Sequence, residues 1–174
     1  MPDLKNKIRD VIDYPKKGIV FKDITPLLQD RILFREAIRK MLDPFKRADI
    51  QTVVGIESRG FIFAAGMAAT LGTGFVPVRK KGKLPYETIS ETYNLEYGTD
   101  TLEIHKDAIK PGDKILIVDD LLATGGTVGA VIKLIEQLKG KIVGVSFLIE
   151  LAFLSGRAKL QGPPVHSVIV YDSE

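Results

Sequence analysis

One segment limits the folds open to this chain more than any other. An apolar run, Ile115-Leu116-Ile117-Val118, leads into Asp119-Asp120-Leu121-Leu122-Ala123-Thr124-Gly125-Gly126-Thr127. The run is rich in β-branched residues and short enough for a buried strand. After it, Val128, Val131, Ile132, Ile135 and Leu138 recur at helical spacing. The segment therefore reads strand, acidic pair, small-residue turn, helix. Glycines let such a turn bring its backbone N–H groups close to a ligand. The two threonines are expected to cap the helix and to offer hydroxyls. A helix N-terminus presents unpaired donors and the positive end of its dipole, a natural seat for phosphate. Two carboxylates cannot hold a phosphate, but they can accept hydrogen bonds from paired sugar hydroxyls or organise a magnesium ion. A phosphate socket beside a diol acceptor describes a sugar phosphate, and ribose 5-phosphate fits it. The segment is neither a Walker A loop, lacking Gly-Lys-Ser/Thr, nor a G-x-G-x-x-G dinucleotide fingerprint.

Other elements follow from periodicity. Leu4, Ile8, Val11 and Ile12 predict a short N-terminal helix ending before Tyr14-Pro15, and Gly18 to Pro26 is expected to be an irregular arm. Phe34, Ala37, Ile38, Met41, Leu42 and Phe45 predict an amphipathic helix. Thr52 to Ile56 reads as a strand, Phe61 to Leu71 as a helix of small residues, and Phe75 to Val78 as another strand. Residues 79–103 are polar, basic and punctuated by Gly and Pro, which fits a mobile excursion or a hairpin. Strand 115–118, helix 126–138, strand 141–150 and a final strand 165–171 complete the order. Strands alternating with helices predict an α/β fold with a mainly parallel central sheet flanked by helices. Ligands bind such sheets at the strands' carboxyl ends, so the loops near residues 57, 79 and 119 are expected to converge.

Composition narrows the function classes. At 174 residues the chain suits one domain, 1–174, with a full core. A formal charge of +3 is too small to argue for nucleic acid, yet suits substrates that carry several phosphates. No cysteine is present, so disulfides and thiolate chemistry are excluded, and His105 and His166 lack the spacing of a zinc site. The apolar stretches fall short of a membrane span, and the charged N-terminus lacks a signal-peptide core. A soluble, cytoplasmic protein that does not bind membranes is expected.

Four more constellations carry chemistry, each with a bland alternative. Glu57-Ser58-Arg59-Gly60-Phe61 follows a strand and opens a helix, which makes an anion site or merely an N-cap beside a surface Arg. Arg79-Lys80-Lys81-Gly82-Lys83-Leu84-Pro85 is either a solvated basic loop or the partner of a polyanionic leaving group. Tyr93-Asn94-Leu95-Glu96-Tyr97-Gly98 reads alone as a solvent-facing ribbon. Val20-Phe21-Lys22-Asp23-Ile24-Thr25-Pro26 reads alone as an apolar cover for the sheet.

The segment at 118–127 resembles the phosphoribosyl-pyrophosphate (PRPP) motif of the type I phosphoribosyltransferases, and its Leu-Leu-Ala-Thr-Gly-Gly-Thr ending is similar to the adenine-using members. The four constellations also match stretches of that family, so the resemblance runs from about residue 8 to 171. It implies the type I phosphoribosyltransferase fold, with an N-terminal hood over the base (about 1–30) and a flexible loop over the active site (about 80–100). The implied reaction is transfer of the 5-phosphoribosyl group of PRPP to adenine, giving AMP and pyrophosphate, with Mg²⁺ and in a homodimer. Ala123, Thr124, Gly125, Gly126 and Thr127 would hold the 5′-phosphate, and Asp119 and Asp120 the ribose hydroxyls. Glu57, Ser58, Arg59, Arg79, Lys80 and Lys83 would meet pyrophosphate; the Glu57–Ser58 peptide is often cis in the family. Glu96 is the implied acid/base residue, and Arg59 would stabilise the leaving group. Phe21 would stack on adenine, the Val20 carbonyl would accept from its amine, and the Lys22 N–H would donate to the adjacent ring nitrogen. Mg²⁺ would ride on pyrophosphate and water, with Asp119 and Asp120 outside its direct shell. Rival readings are a related enzyme for hypoxanthine, guanine, xanthine or orotate, and a purine-sensing regulator that kept the socket; the arm at 18–26 speaks against the first, and the lack of an added nucleic-acid-binding segment against the second.

Overall fold

The computed structural model describes residues 3–94 and 98–173. Its centre is a sheet assembled in the order β5-β6-β4-β3-β7-β8-β9. These strands are β3 (Thr52–Ile56), β4 (Gly74–Lys80), β5 (Thr88–Asn94), β6 (Thr99–His105), β7 (Lys114–Leu122), β8 (Lys141–Leu151) and β9 (Val165–Tyr171). The pairs among β4, β3, β7, β8 and β9 are parallel, while β5 and β6 add an antiparallel hairpin to the β4 edge. Helices α2 (Arg31–Leu42), α3 (Gly60–Leu71) and α4 (Gly126–Gln137) cover the sheet.

Side chains that alternate along each strand feed two cores, one per face. Val53 of β3 and Leu116 and Val118 of β7 join Ala37, Met41, Phe63 and Met67 from α2 and α3. Val54 and Ile56, with Ile115 and Ile117, join Val131, Leu134 and Ile135 of α4 on the other face. Burial on both faces is why β3 and β7 read as continuous apolar runs. The chain leaves β3 for β4 on one side, and β7 for β8 on the other. The strand order thus reverses between β3 and β7, and a crevice at their carboxyl ends is the expected ligand position.

The N-terminal expectations need correction. In place of a helix over Leu4 to Ile12, a short 3₁₀ turn at Lys5–Lys7 precedes the strand β1 (Arg9–Ile12). In place of an irregular arm, β2 (Val20–Asp23) pairs antiparallel with β1, and the helix α1 (Thr25–Gln29) follows. A helix that short is marginal in water, so pairing with β2 overrides the apolar spacing. The hairpin turn closes through Asp13, whose carboxylate accepts the Gly18 N–H at 2.7 Å. Asp23 accepts the Thr25 N–H at 2.9 Å and so starts α1, with Pro26 in its first turn. Residues 79–103, read as excursion or hairpin, form the β5–β6 hairpin, paired from Thr88↔His105 to Asn94↔Thr99.

A candidate phosphosugar site at the carboxyl ends of β3 and β7

A cleft of about 700 Å³ opens at the expected switch point. It gathers Glu57, Ser58 and Arg59 after β3, Lys80 at the end of β4 with Lys83 just beyond it, and residues 119–125 with Thr127 from β7 and the start of α4. Phe21 of β2 reaches it from the hairpin arm, and Tyr93 and Asp100 from β5 and β6. The predicted convergence of three loops therefore occurs. A larger groove of about 990 Å³ lies between α2 and α3 and holds neither the acidic pair nor the glycine turn.

The acidic pair sits inside β7, which continues to Leu122, rather than at its last residue. Both carboxyls are almost wholly covered. Burial, then the charge of Asp120, pushes the Asp119 carboxyl well above the usual range. Burial also raises Asp120, against the pull of Arg59. Asp119 Oδ1 accepts the Asp120 N–H at 2.9 Å. Helix α3 approaches this pair closely because Gly60 has no side chain: a Cβ there would lie 2.7 Å from Asp119 Oδ1. Asp120 Oδ2 lies 2.8 Å from Arg59 Nε, an ion-pair distance, yet the angle is not that of a hydrogen bond and among the described residues the oxygen is left without one. A buried acceptor of this kind fits a ligand donor that arrives with substrate.

The small-residue turn is built for close approach. Gly125 carries φ +80° and forms the N-cap of α4, with no side-chain hydrogen bond at that cap. The expectation that threonines cap the helix is thus not met: Gly125 has no side chain to do so, and the Thr127 hydroxyl donates instead to the Tyr93 hydroxyl at 3.2 Å. The first amides of α4 keep the orphan donors that every helix start carries. A second glycine supports the turn from outside the cleft, since a Cβ on Gly156 would fall 2.0 Å from the Ala123 carbonyl oxygen.

Each cation of the cleft rests on a carboxylate. Arg59 pairs with Asp120, and its guanidinium stands 4.9 Å from the Phe21 ring centroid. Glu57 receives Lys83 Nζ at 2.5 Å, the Lys80 N–H at 2.9 Å and Arg79 Nε at 3.4 Å. Burial pushes the Glu57 carboxyl up, but Lys83, the Lys80 amide and Arg79 outweigh it and hold it below its usual range. Lys80 Nζ meets Asp100 at 3.0 Å, which raises the lysine. A polyanion entering this cleft would exchange these carboxylates for its own oxygens. The Glu57–Ser58 peptide is cis.

Not every residue singled out in the sequence faces the cleft. Val20, Lys22, Arg79 and Gly126 do not line it. The Lys22 side chain is buried, pairs with Asp10 at 2.8 Å and stands 4.4 Å over the Tyr171 ring, while its carbonyl accepts from Arg59 at 3.5 Å. Arg79 acts from behind, ion-paired with Glu57 and donating through Nη1 to the Lys83 carbonyl at 3.1 Å. Glu96 lies outside the described residues. Sequence reasoning missed Tyr93 and Asp100; the alternation Ile89, Glu91, Tyr93 on β5 was the available signal for the first.

An α/β sheet with a glycine turn at a helix start, two buried acids before it and a basic loop facing them defines the phosphoribosyltransferase class. The phosphoribosyl transferase domain model matches residues 25–173. The adenine phosphoribosyltransferase of Halothermothrix orenii is 60% identical, covering 96% of this chain and 98% of its own; that of Thermotoga neapolitana is 56% identical, covering 97% and 99%. The crystal structure of the adenine phosphoribosyltransferase from Rhodothermus marinus superposes with a TM-score of 0.93 at 57% identity, covering 97% of this chain and 96% of that one. The Saccharomyces cerevisiae enzyme, complexed with adenine and an imino-altritol bisphosphate, gives 0.90 at 43% identity, covering 95% and 96%. The chain belongs to the phosphoribosyltransferase family, in its adenine phosphoribosyltransferase branch.

Proposed function

We infer that this protein works in purine salvage, transferring the 5-phosphoribosyl group of PRPP to adenine to give AMP and pyrophosphate. One observation carries the reading: acid pair, glycine turn, basic loop and Phe21 line a single cleft.

The roles follow from position. The amides of the turn at 123–127 and the hydroxyl of Thr124 bind the 5′-phosphate, Thr127 contributing its amide because its hydroxyl proton goes to Tyr93. Asp119 and Asp120 take the ribose 2′- and 3′-hydroxyls and so fix C1 for attack by N9 of adenine. Ser58, Arg59, Lys80 and Lys83 bind pyrophosphate and offset the charge that builds on it as the C1–O bond breaks. Glu57 within the cleft and Arg79 behind it position these groups, as the ion pairs of Glu57 with Arg79 and Lys83 support. Adenine stacks on Phe21, with the Val20 carbonyl and Lys22 N–H reading its edge. A carbonyl aimed at the exocyclic amine would face an oxygen in hypoxanthine or guanine, a mismatch worth ~10⁴-fold or more in selectivity. Because Lys22 turns its side chain away to Asp10 and Tyr171, only its backbone is left to read the base. Glu96 handles the purine proton.

Mg²⁺ fits this donor set as a cation carried mainly by substrate. Among the described residues no three His, Asp or Glu gather into a metal site, and Mg²⁺ commonly rides on phosphates and water with one or two carboxylates nearby. It would neutralise pyrophosphate, with Asp119 and Asp120 in its outer shell. We take 1–174 to act as one catalytic unit, with about 1–30 as the base hood and about 80–100 as the loop over the site. It would work as a cytoplasmic homodimer; among the described residues no helix is long and apolar enough to cross a membrane. Replacing Asp119 and Asp120 together by Asn tests the assignment: turnover should collapse while the circular dichroism spectrum stays native, and normal kinetics would overturn the ribose-binding role.

A further inference from the structure

Tyr93 has no part in the roles above, yet it stands where the β5–β6 hairpin meets the turn. On β5, Ile89, Glu91 and Tyr93 alternate with the exposed Ser90, Thr92 and Asn94, so one face of the strand lies against its neighbour. That neighbour is α4. Ile89 packs into the core that α4 shares, and Glu91 pairs with Lys133 of α4 at 2.8 Å. The same face ends on the turn itself. The Thr127 hydroxyl donates to the Tyr93 hydroxyl at 3.2 Å, and a Cβ on Gly126 would come within 3.2 Å of the Tyr93 ring. Tyr93 also lines the cleft together with Thr124, Gly125 and Thr127.

Because the phenol oxygen already accepts from Thr127, its own proton is free to be donated. Burial pushes the phenol further up, so it stays protonated at neutral pH. Among the described residues neither the Tyr93 nor the Thr127 hydroxyl is hydrogen-bonded to a carboxylate, unlike the cations of the cleft, which each rest on one. A neutral donor beside a glycine turn and a helix start suits a phosphate oxygen.

We propose that Tyr93 is a phosphate-binding residue: its hydroxyl donates to the 5′-phosphate held by the turn and thereby links the hairpin to the occupied socket. The inference rests on the phosphoribosyl reading. It makes the 5′-phosphate a ligand shared by two elements, α4 and the hairpin, so the hairpin reads whether a ligand is phosphorylated.

The test is calorimetric titration of the full chain with AMP and with adenosine, which differs only in lacking the phosphate. Tyr93→Phe should weaken AMP about tenfold, the scale of one hydrogen bond to a charged acceptor, and leave adenosine unchanged. Glu91→Gln loosens the hairpin from α4 without touching the socket and should leave both ligands near wild type. Equal AMP affinity in Tyr93→Phe and wild type would overturn the proposal. So would Tyr93→Phe and Glu91→Gln weakening AMP and adenosine alike, since Tyr93 would then only dock the hairpin. A wild-type protein that fails to bind AMP at all would instead overturn the phosphoribosyl reading, and the inference with it.

Discussion

Gly156 lies outside the cleft, on the turn after β8, yet its replacement by alanine should damage the phosphate socket. A Cβ built there falls 2.0 Å from the Ala123 carbonyl oxygen and 2.9 Å from both Ala123 C and Gly125 N. These are backbone atoms that no rotamer change can remove, and ordinary contact begins near 3.4 Å. The two turns must therefore separate by about 1 Å or more. They have little freedom to do so, because β7 and β8 are paired directly beneath them at Leu121↔Ile149 and Leu122↔Glu150. Misplacement of a binding group by about 1 Å costs ~10²-fold in rate. Gly156→Ala should thus lower kcat/KM for PRPP about a hundredfold, with much less effect on adenine binding to the free enzyme. Steady-state kinetics at varied PRPP give the first quantity and calorimetry the second. Gly129 is the control: nothing lies within 4 Å of a Cβ there, and Gly129→Ala within α4 should keep wild-type kinetics and add about 0.5–1 kcal/mol of stability. Wild-type kcat/KM in Gly156→Ala would refute the claim that the socket depends on this backbone contact.

Asp119→Asn should raise stability at neutral pH by about 0.5–2 kcal/mol, the usual gain when a strained active-site group is relieved. The sign follows from the raised carboxyl: the folded protein holds this proton more tightly than the unfolded chain, so wild type loses stability as pH climbs above about 4. Denaturant melts across pH should find the gain at pH 7 and none below about pH 4; a gain that grows toward acid would contradict the assignment. Thr124→Ala should weaken PRPP and AMP by ~1.5–3 kcal/mol through one lost hydroxyl donor, and a change confined to adenine would count against the phosphate role. Glu96→Gln should lower kcat by ~10²–10⁴-fold with PRPP affinity little altered; loss of PRPP binding alone would make Glu96 a loop-ordering residue.

The parts of the fold that sequence foretold are those with period and burial in agreement. β3 and β7 are apolar on both faces and bounded by turn residues, and α4 carries a full helical stripe. The stretch that forms β1 reads as a helix because Leu4, Ile8, Val11 and Ile12 mimic helical spacing, whereas the strand pairing that decides the matter depends on β2. In the site, strand-end position alone predicts that the loops near residues 57, 79 and 119 meet, as they do in the cleft. Which charge rests on which does not follow from spacing. Arg59 is far from Asp120 and Phe21 along the chain; the parallel pairing of β3 with β7 brings it to Asp120, and the β1–β2 hairpin carries Phe21 over it. The hidden part of Lys22 has the same cause: its neighbours Asp10 and Tyr171 come from opposite ends of the chain.

The central claim is tested most directly by identifying the nucleotide made. The protein should be incubated with PRPP and Mg²⁺ and, in separate reactions, with adenine, hypoxanthine, guanine, xanthine and orotate. Chromatography with authentic standards then reads the products. Phe21 lining one cleft with the glycine turn and the acid pair, together with the proposed reading of the base by the β2 backbone, predicts AMP and pyrophosphate in equal amounts from adenine, with the other bases slower by ~10⁴-fold or more. Comparable yields from an oxopurine, or no nucleotide from any base, would contradict it.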